Sequence, residues 1–167
     1  MLLNAAQSTD SSLSTAAAVS HYQLTGDPAT ALHTFARVLT ARGRTPWYLS
    51  SLPPLGKAAA PLLPLIEPLL DTGSEWTRMA AAEAHHWITG APDRAVPVLA
   101  ELVGPTPVGL RALKALAATG RAPEELRPTL RALAFSPTRL LSDSPFSGPD
   151  HPDEELRAAA RTLLTAG

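Results

Sequence analysis

The side chains that could do chemistry in this chain are two adjacent histidines, a few aromatic residues and one run of arginines. His85 and His86 are neighbours. Successive residues of a helix point about 100° apart, whereas metal-binding pairs on a helix stand four residues apart, so this pair chelates poorly. His21 and His85 each follow an alanine by four residues, Ala17 and Ala81. That spacing puts them on one helical stripe with the alanines, as core residues and not as ligands. There is no cysteine, which removes disulfides and thiolate metal sites. Serine, histidine and aspartate all occur, but without a nucleophile-elbow glycine pattern, a Walker loop or a dinucleotide fingerprint. The sequence therefore marks no catalytic residue, no cofactor and no metal site.

Surface recognition is the other chemistry on offer. Trp47, Tyr48, Trp76 and Trp87 could form a recognition patch, tryptophan being enriched where partners bind, or could pack between helices. Trp47 follows Pro46 and Trp76 falls near a helix start, which favours partial exposure of both. Basic residues gather at Arg111, Lys114, Arg121, Arg127, Arg131 and Arg139, and acidic ones follow at Asp143, Asp150, Asp153, Glu154 and Glu155. The acids could neutralise the bases internally, where a nucleic-acid surface would leave a basic stripe unbalanced. The segment 136–152, rich in Ser, Pro and Asp, carries Leu140, Leu141 and Phe146. It reads as an inserted loop, either tucked over the neighbouring helices or offered to a partner. The candidate partner-binding residues are thus Trp47, Tyr48, Trp76, Arg127, Arg131, Leu140, Leu141 and Phe146.

Composition bounds what could carry these groups. The chain has 167 residues, 45% apolar and 17% charged, with a formal net charge of −1. That is a globular composition, and the charge argues against a surface built mainly for phosphate backbones. The most apolar stretch, 58–66, is broken by Pro61 and Pro64 and is far too short to span a bilayer. The start, Met1-Leu2-Leu3-Asn4, lacks the basic region and apolar run of a secretory leader. A soluble, cytoplasmic chain with no membrane partner is the expectation.

Internal repetition sets the architecture. Residues 16–28 and 80–92 correspond at an offset of 64, including Ala16-Ala17-Ala18 with Ala80-Ala81-Ala82, His21 with His85, and Gly26 with Gly90. The same offset joins Gly56 to Gly120, Leu49 to Leu113, Leu52 to Leu116, Leu62 to Leu126 and Pro64 to Pro128. Gly26, Gly56, Gly90 and Gly120 are spaced 30, 34 and 30 residues apart. In each unit a helical segment should run to its glycine, which ends it, and a proline at 28, 61, 92 or 123 should open the next. Second helices show the one-sided stripe at Leu32, Phe35, Ala36 and Leu39, and at Val96, Leu99, Ala100 and Val103. The spacing predicts helices near 12–25, 28–42, 46–55, 58–71, 75–89, 92–103, 107–119, 123–135 and 153–165, and no strand.

The run Thr77-Arg78-Met79-Ala80-Ala81-Ala82-Glu83-Ala84, then Gly90 and a second apolar helix, resembles a short HEAT repeat of the bacterial type. Asp71 precedes Arg78 by seven residues and Asp150 precedes Arg157 by seven, ahead of Ala158-Ala159-Ala160. The resemblance is uneven: Thr15 replaces the arginine in the first unit, and Pro53 and Pro54 fall in the first helix of the second. Tetratricopeptide repeats share a period of 34, but their tryptophan, glycine and tyrosine positions are not matched. The resemblance implies an all-α fold, an α-solenoid of about four and a half antiparallel helix pairs. Its units would be 12–42, 46–71, 75–103 and 107–135, with a half-repeat at 153–165, all in one domain spanning 1–167. It also implies ion pairs of Asp71 with Arg78 and of Asp150 with Arg157. The array is expected to start and stop in mid-repeat, as a piece of a longer array would, or a chain whose last helix is a cap. The function that follows is a non-catalytic protein–protein interaction scaffold, binding another protein through its inner helical face or its insertion loop. The alternatives are a nucleic-acid-binding module, like the solenoid DNA glycosylases, and a structural fragment of a larger repeat protein.

Overall fold

The computed structural model describes residues 2–41, 45–142 and 151–166. The chain is all-helical, with no strand among the described residues. It divides into two compact units, Met1–Ala91 and Pro92–Gly167. The division falls inside the helix pair expected at 75–103.

The first unit begins with α1 (Leu2–Ala6), α2 (Ser11–Thr25) and α3 (Ala29–Thr40), which pack on one another. Asp10 caps α2, its carboxylate accepting from the amides of Ser12 and Leu13 at 2.9 and 3.0 Å. At the other end Gly26 takes the left-handed conformation, φ 73°, that a side chain would resist. The last helix of this unit, α7 (Glu75–Thr89), has the bounds of α2 shifted by 64 residues. Ser74 caps it where Asp10 caps α2, and Gly90 closes it at φ 70°. The sequence repeat is thus a repeat of local structure.

Burial keeps the same offset. Ala31, Thr34, Phe35 and Val38 are buried in α3, as are their counterparts Ala95, Val98, Leu99 and Leu102 in α8 (Ala95–Leu102), and α3 buries Leu39 as well. Phe35, Leu39 and Leu99 of the expected stripes are buried, but the buried side of each helix extends toward the preceding residues, leaving Leu32, Ala36, Val96, Ala100 and Val103 half-buried.

Between α3 and α7 the expected pair of helices is broken up. α4 is short (Thr45–Leu49), a run of 3-10 turns follows (Pro53–Leu62), and then come α5 (Leu63–Ile66) and α6 (Pro68–Asp71). Prolines at 53, 54, 61, 64 and 68 remove the amide donors that a continuous ladder needs. Gly56, expected to end a helix, instead sits at φ 50°, ψ −131° inside the 3-10 run. The buried stripe survives regardless, through Leu52, Leu55, Ala59, Leu62, Ile66 and Leu70. α4, the 3-10 run, α5 and α6 all pack on α7.

The second unit holds α8, α9 (Pro107–Thr119), a 3-10 turn (Glu124–Leu126), α10 (Arg127–Ala134) and α11 (Pro152–Ala166). α8 packs on α9, and α11 on both α9 and α10. Thr106 caps α9 and Gly120 closes it at φ 68°. Leu156 and Leu163 of α11 are 0% and 4% exposed, so the last helix is covered by its own unit. Burying one leucine is worth about 1.5–3 kcal/mol, enough to hold such a helix in place.

Candidate functional site

In the first unit Trp47 borders an open groove of about 640 Å³ between α2 and the start of the 3-10 run. Ala16, Val19, Pro53 and Pro54 supply its apolar wall, and no ionisable side chain lines it. Three of the four hydroxyls at its edge are occupied with backbone. Thr15 donates to the Ser11 carbonyl at 2.8 Å, Ser50 to that of Pro46 at 3.0 Å, and Ser51 to that of Trp47 at 3.2 Å. Trp47 is 63% exposed, whereas its neighbour Tyr48 is buried and leaves the surface to the tryptophan. Trp76 and Trp87 are 43% and 51% exposed. They stand 11 residues apart on α7, a rotation of only about 20° at 100° per residue, so they share one face some 16 Å apart along the axis. Trp87 could have been paired with Trp76 from that spacing alone.

In the second unit three members of the basic run have acidic partners, only one of which, Glu155, is among the acids expected to neutralise it. Lys114 meets Glu155 at 2.5 Å, Arg121 meets Asp93 at 2.9 Å, and Arg127 meets Glu124 at 3.4 Å. Arg131 and Arg139 are exposed and have no ion-pair partner among the described residues. Arg127, Arg121 and Glu124 flank a cavity of about 220 Å³ with Ala122, Pro123, Leu130 and Leu163 in its wall. Along α10, Arg131 and then Phe135 follow Arg127 at intervals of four residues. Phe135 is 67% exposed, with the Arg161 guanidinium 6.0 Å from its ring centre. Phe135 was not among the sequence candidates; its place four residues beyond Arg131 was the available signal.

The segment after α10 is fastened to α11. Arg157 Nε donates to Asp153 Oδ2 at 2.7 Å, and its other nitrogens donate to the carbonyls of Ser136 and Thr138. The Leu140 and Leu141 amides donate to Asp153 Oδ1 at 2.6 and 3.2 Å. Burial alone would raise the Asp153 carboxyl, but the hydrogen bonds from Arg157, Leu140 and Leu141 outweigh it and lower its pKa to about 2. Leu141 is buried and Leu140 half-buried, so this part of the loop is tucked in. Phe146 and Asp150 lie outside the described residues. Arg78 Nε donates to the Leu70 carbonyl at 3.0 Å, beside Asp71.

His85 is buried, with Nε2 3.8 Å from Glu67 Oε1, while His21 and His86 are half-buried. Among the described residues no three of His, Asp and Glu converge as a metal would need. No helix is long and apolar enough to cross a membrane among the described residues.

No known family, curated protein or solved structure matches this chain. The surfaces themselves therefore carry the functional argument. Neither of them combines a nucleophile with a base. What they offer is neutral aromatic area in the first unit and guanidinium groups around one ring in the second.

Proposed function

We propose that the chain is a non-catalytic protein–protein interaction scaffold, an α-solenoid of HEAT-like helix pairs. The observation that carries the binding role is the exposure of all three of its tryptophans, at 63%, 43% and 51%. A tryptophan left in water forgoes a large burial term. Covering about 100 Å² of one would yield about 2.5 kcal/mol at 25 cal/mol per Å². Interfaces draw much of their energy from such rings. The groove beside Trp47 has no charge to desolvate, which suits an apolar side chain of another protein. The solenoid reading draws support from α2 and α7, which share bounds, caps and closing glycines at an offset of 64.

The test is capture by the immobilised full chain, compared with a variant carrying Trp47→Ala, Trp76→Ala and Trp87→Ala. A partner held stoichiometrically by the wild type and lost from the variant is the expected result. Capture that the triple variant retains in full would remove the tryptophans from the binding surface and with them this reading.

A further inference from the structure

We infer that the second unit carries a docking strip for an acidic peptide segment bearing an apolar side chain. The inference deepens the protein-binding reading and rests on it, but it uses a different surface. The strip runs along α10 from the cavity beside Arg127 to Phe135. Eight residues of helix cover about 12 Å, the reach of roughly four residues of extended peptide.

The order of contacts along α11 shows how the strip is built. Arg157 reaches Ser136 and Thr138, Arg161 reaches the Ala134 carbonyl and the Phe135 ring, and Leu163 lines the cavity with Leu130 and Arg127. Moving toward the end of α11 thus means moving toward the start of α10, so the two helices lie antiparallel. One end of the strip is a cavity of about 220 Å³ whose wall is part apolar, from Ala122, Pro123, Leu130 and Leu163, and part polar, from Arg121, Glu124 and Arg127. The other end is an exposed phenyl ring backed by a guanidinium.

Charge selects the occupant. α10 itself has no carboxylate, and those of α11 are all in its first turn, at 153–155; the acids near the strip are Glu124 and Glu125 in the turn before α10, of which Glu124 lines the cavity and pairs with Arg127. Arg131, in the middle of the strip, is exposed and without an ion-pair partner among the described residues. Arg121 and Arg127 do have partners, but Asp93 and Glu124 are 78% and 80% exposed. Such pairs are weak and yield readily to an incoming carboxylate. An exposed arginine left unpaired beside an exposed ring and a partly apolar cavity flanked by two further guanidinium groups suits alternating acidic and apolar side chains. A nucleic acid is favoured less, because acidic and basic residues balance over 92–167, nine of each, where a phosphate backbone calls for an excess of positive charge.

The probe is a fluorescein-labelled hexapeptide of alternating glutamate and leucine, titrated into the full chain at low salt and followed by anisotropy. A lysine–leucine peptide and a short oligo-thymidylate are the comparison ligands. The acidic peptide is expected to bind at least about tenfold more tightly than either, with affinity falling as salt rises. Arg131→Glu should weaken it about tenfold or more, and Phe135→Ala a few fold, both with unchanged circular dichroism because both side chains are exposed. Equal binding of acidic and basic peptides, or acidic binding that Arg131→Glu leaves intact, overturns the inference. Tighter binding of oligo-thymidylate overturns it in favour of nucleic acid. The tryptophan-dependent capture reads a separate surface. If it persists while the peptide fails, the strip is refuted and the binding scaffold stands. If it fails while the peptide binds through Arg131, the tryptophan surface is refuted and the strip stands.

Discussion

Asp153 and Arg157 face each other across one turn of α11, 2.7 Å from Oδ2 to Nε, and together they hold the backbone of residues 136–141. The carboxylate takes two amides and the guanidinium takes two carbonyls, so the backbone that leaves α10 is held by side chains instead of by a sheet or a helix. Such partly buried, charge-assisted bonds are the strong kind. Arg157→Ala should cost about 2–4 kcal/mol in urea unfolding, since it leaves a buried carboxylate without its counter-ion. The Leu140 and Leu141 amides should lose hydrogen-exchange protection in Asp153→Ala. Full protection in that variant would show that the segment is held by its leucines alone.

The same clasp gives a pH signature. The Asp153 pKa is lowered from 3.8 to about 2 on folding. A group whose folded pKa is depressed stabilises the fold above its unfolded value and loses that contribution as pH falls through the folded one. Stability from Asp153 is therefore present above about pH 4 and lost between about pH 4 and 2. Asp153→Asn should flatten stability against pH in that window and leave the slope above it unchanged. A wild-type curve and an Asp153→Asn curve that run parallel from pH 4 to 2 would contradict the assignment.

The clasp also shows where the sequence stops being informative. Its partners are main-chain amides and carbonyls, which carry no side-chain identity, so the resemblance pairs Arg157 with Asp150 and gives no sign of Ser136 or Thr138. The i, i+4 spacing of Asp153 and Arg157 was legible, but not which of several acids the arginine would choose. Periodicity, by contrast, is written in the sequence. The offset of 64 foretold matching bounds for α2 and α7, and their glycines close them as left-handed residues do. It failed at Gly56, where the surrounding prolines withdraw the donors that an α-helix needs before its glycine can end it. Of the binding candidates, the tryptophans stand out by type alone, whereas the burial of Tyr48 and Leu141 depends on which face of a short element turns inward.

Close approach of backbone makes a second stability prediction. A Cβ placed on Gly109 would lie 2.3 Å from the Gly104 carbonyl oxygen. The clash is with main chain ahead of α9, which cannot move aside as a side chain can. Gly109→Ala should cost about 1–3 kcal/mol despite alanine's better helix propensity. An unchanged or raised melting temperature would show that the 104–109 turn relaxes freely.

The exposed rings should behave in opposite ways in the free chain and at an interface. Trp47 is 63% exposed and Trp87 is 51% exposed, so Trp47→Ala and Trp87→Ala should each cost no more than about 1 kcal/mol. Phe35, fully buried in α3, should cost about 3–5 kcal/mol when cut to alanine. The wild-type emission should be that of solvated indole and strongly quenched by acrylamide, less so once a partner covers the rings. If Trp47→Ala proves as costly as Phe35→Ala, the ring supports the groove instead of waiting to be covered, and the binding role would pass to the α10 strip.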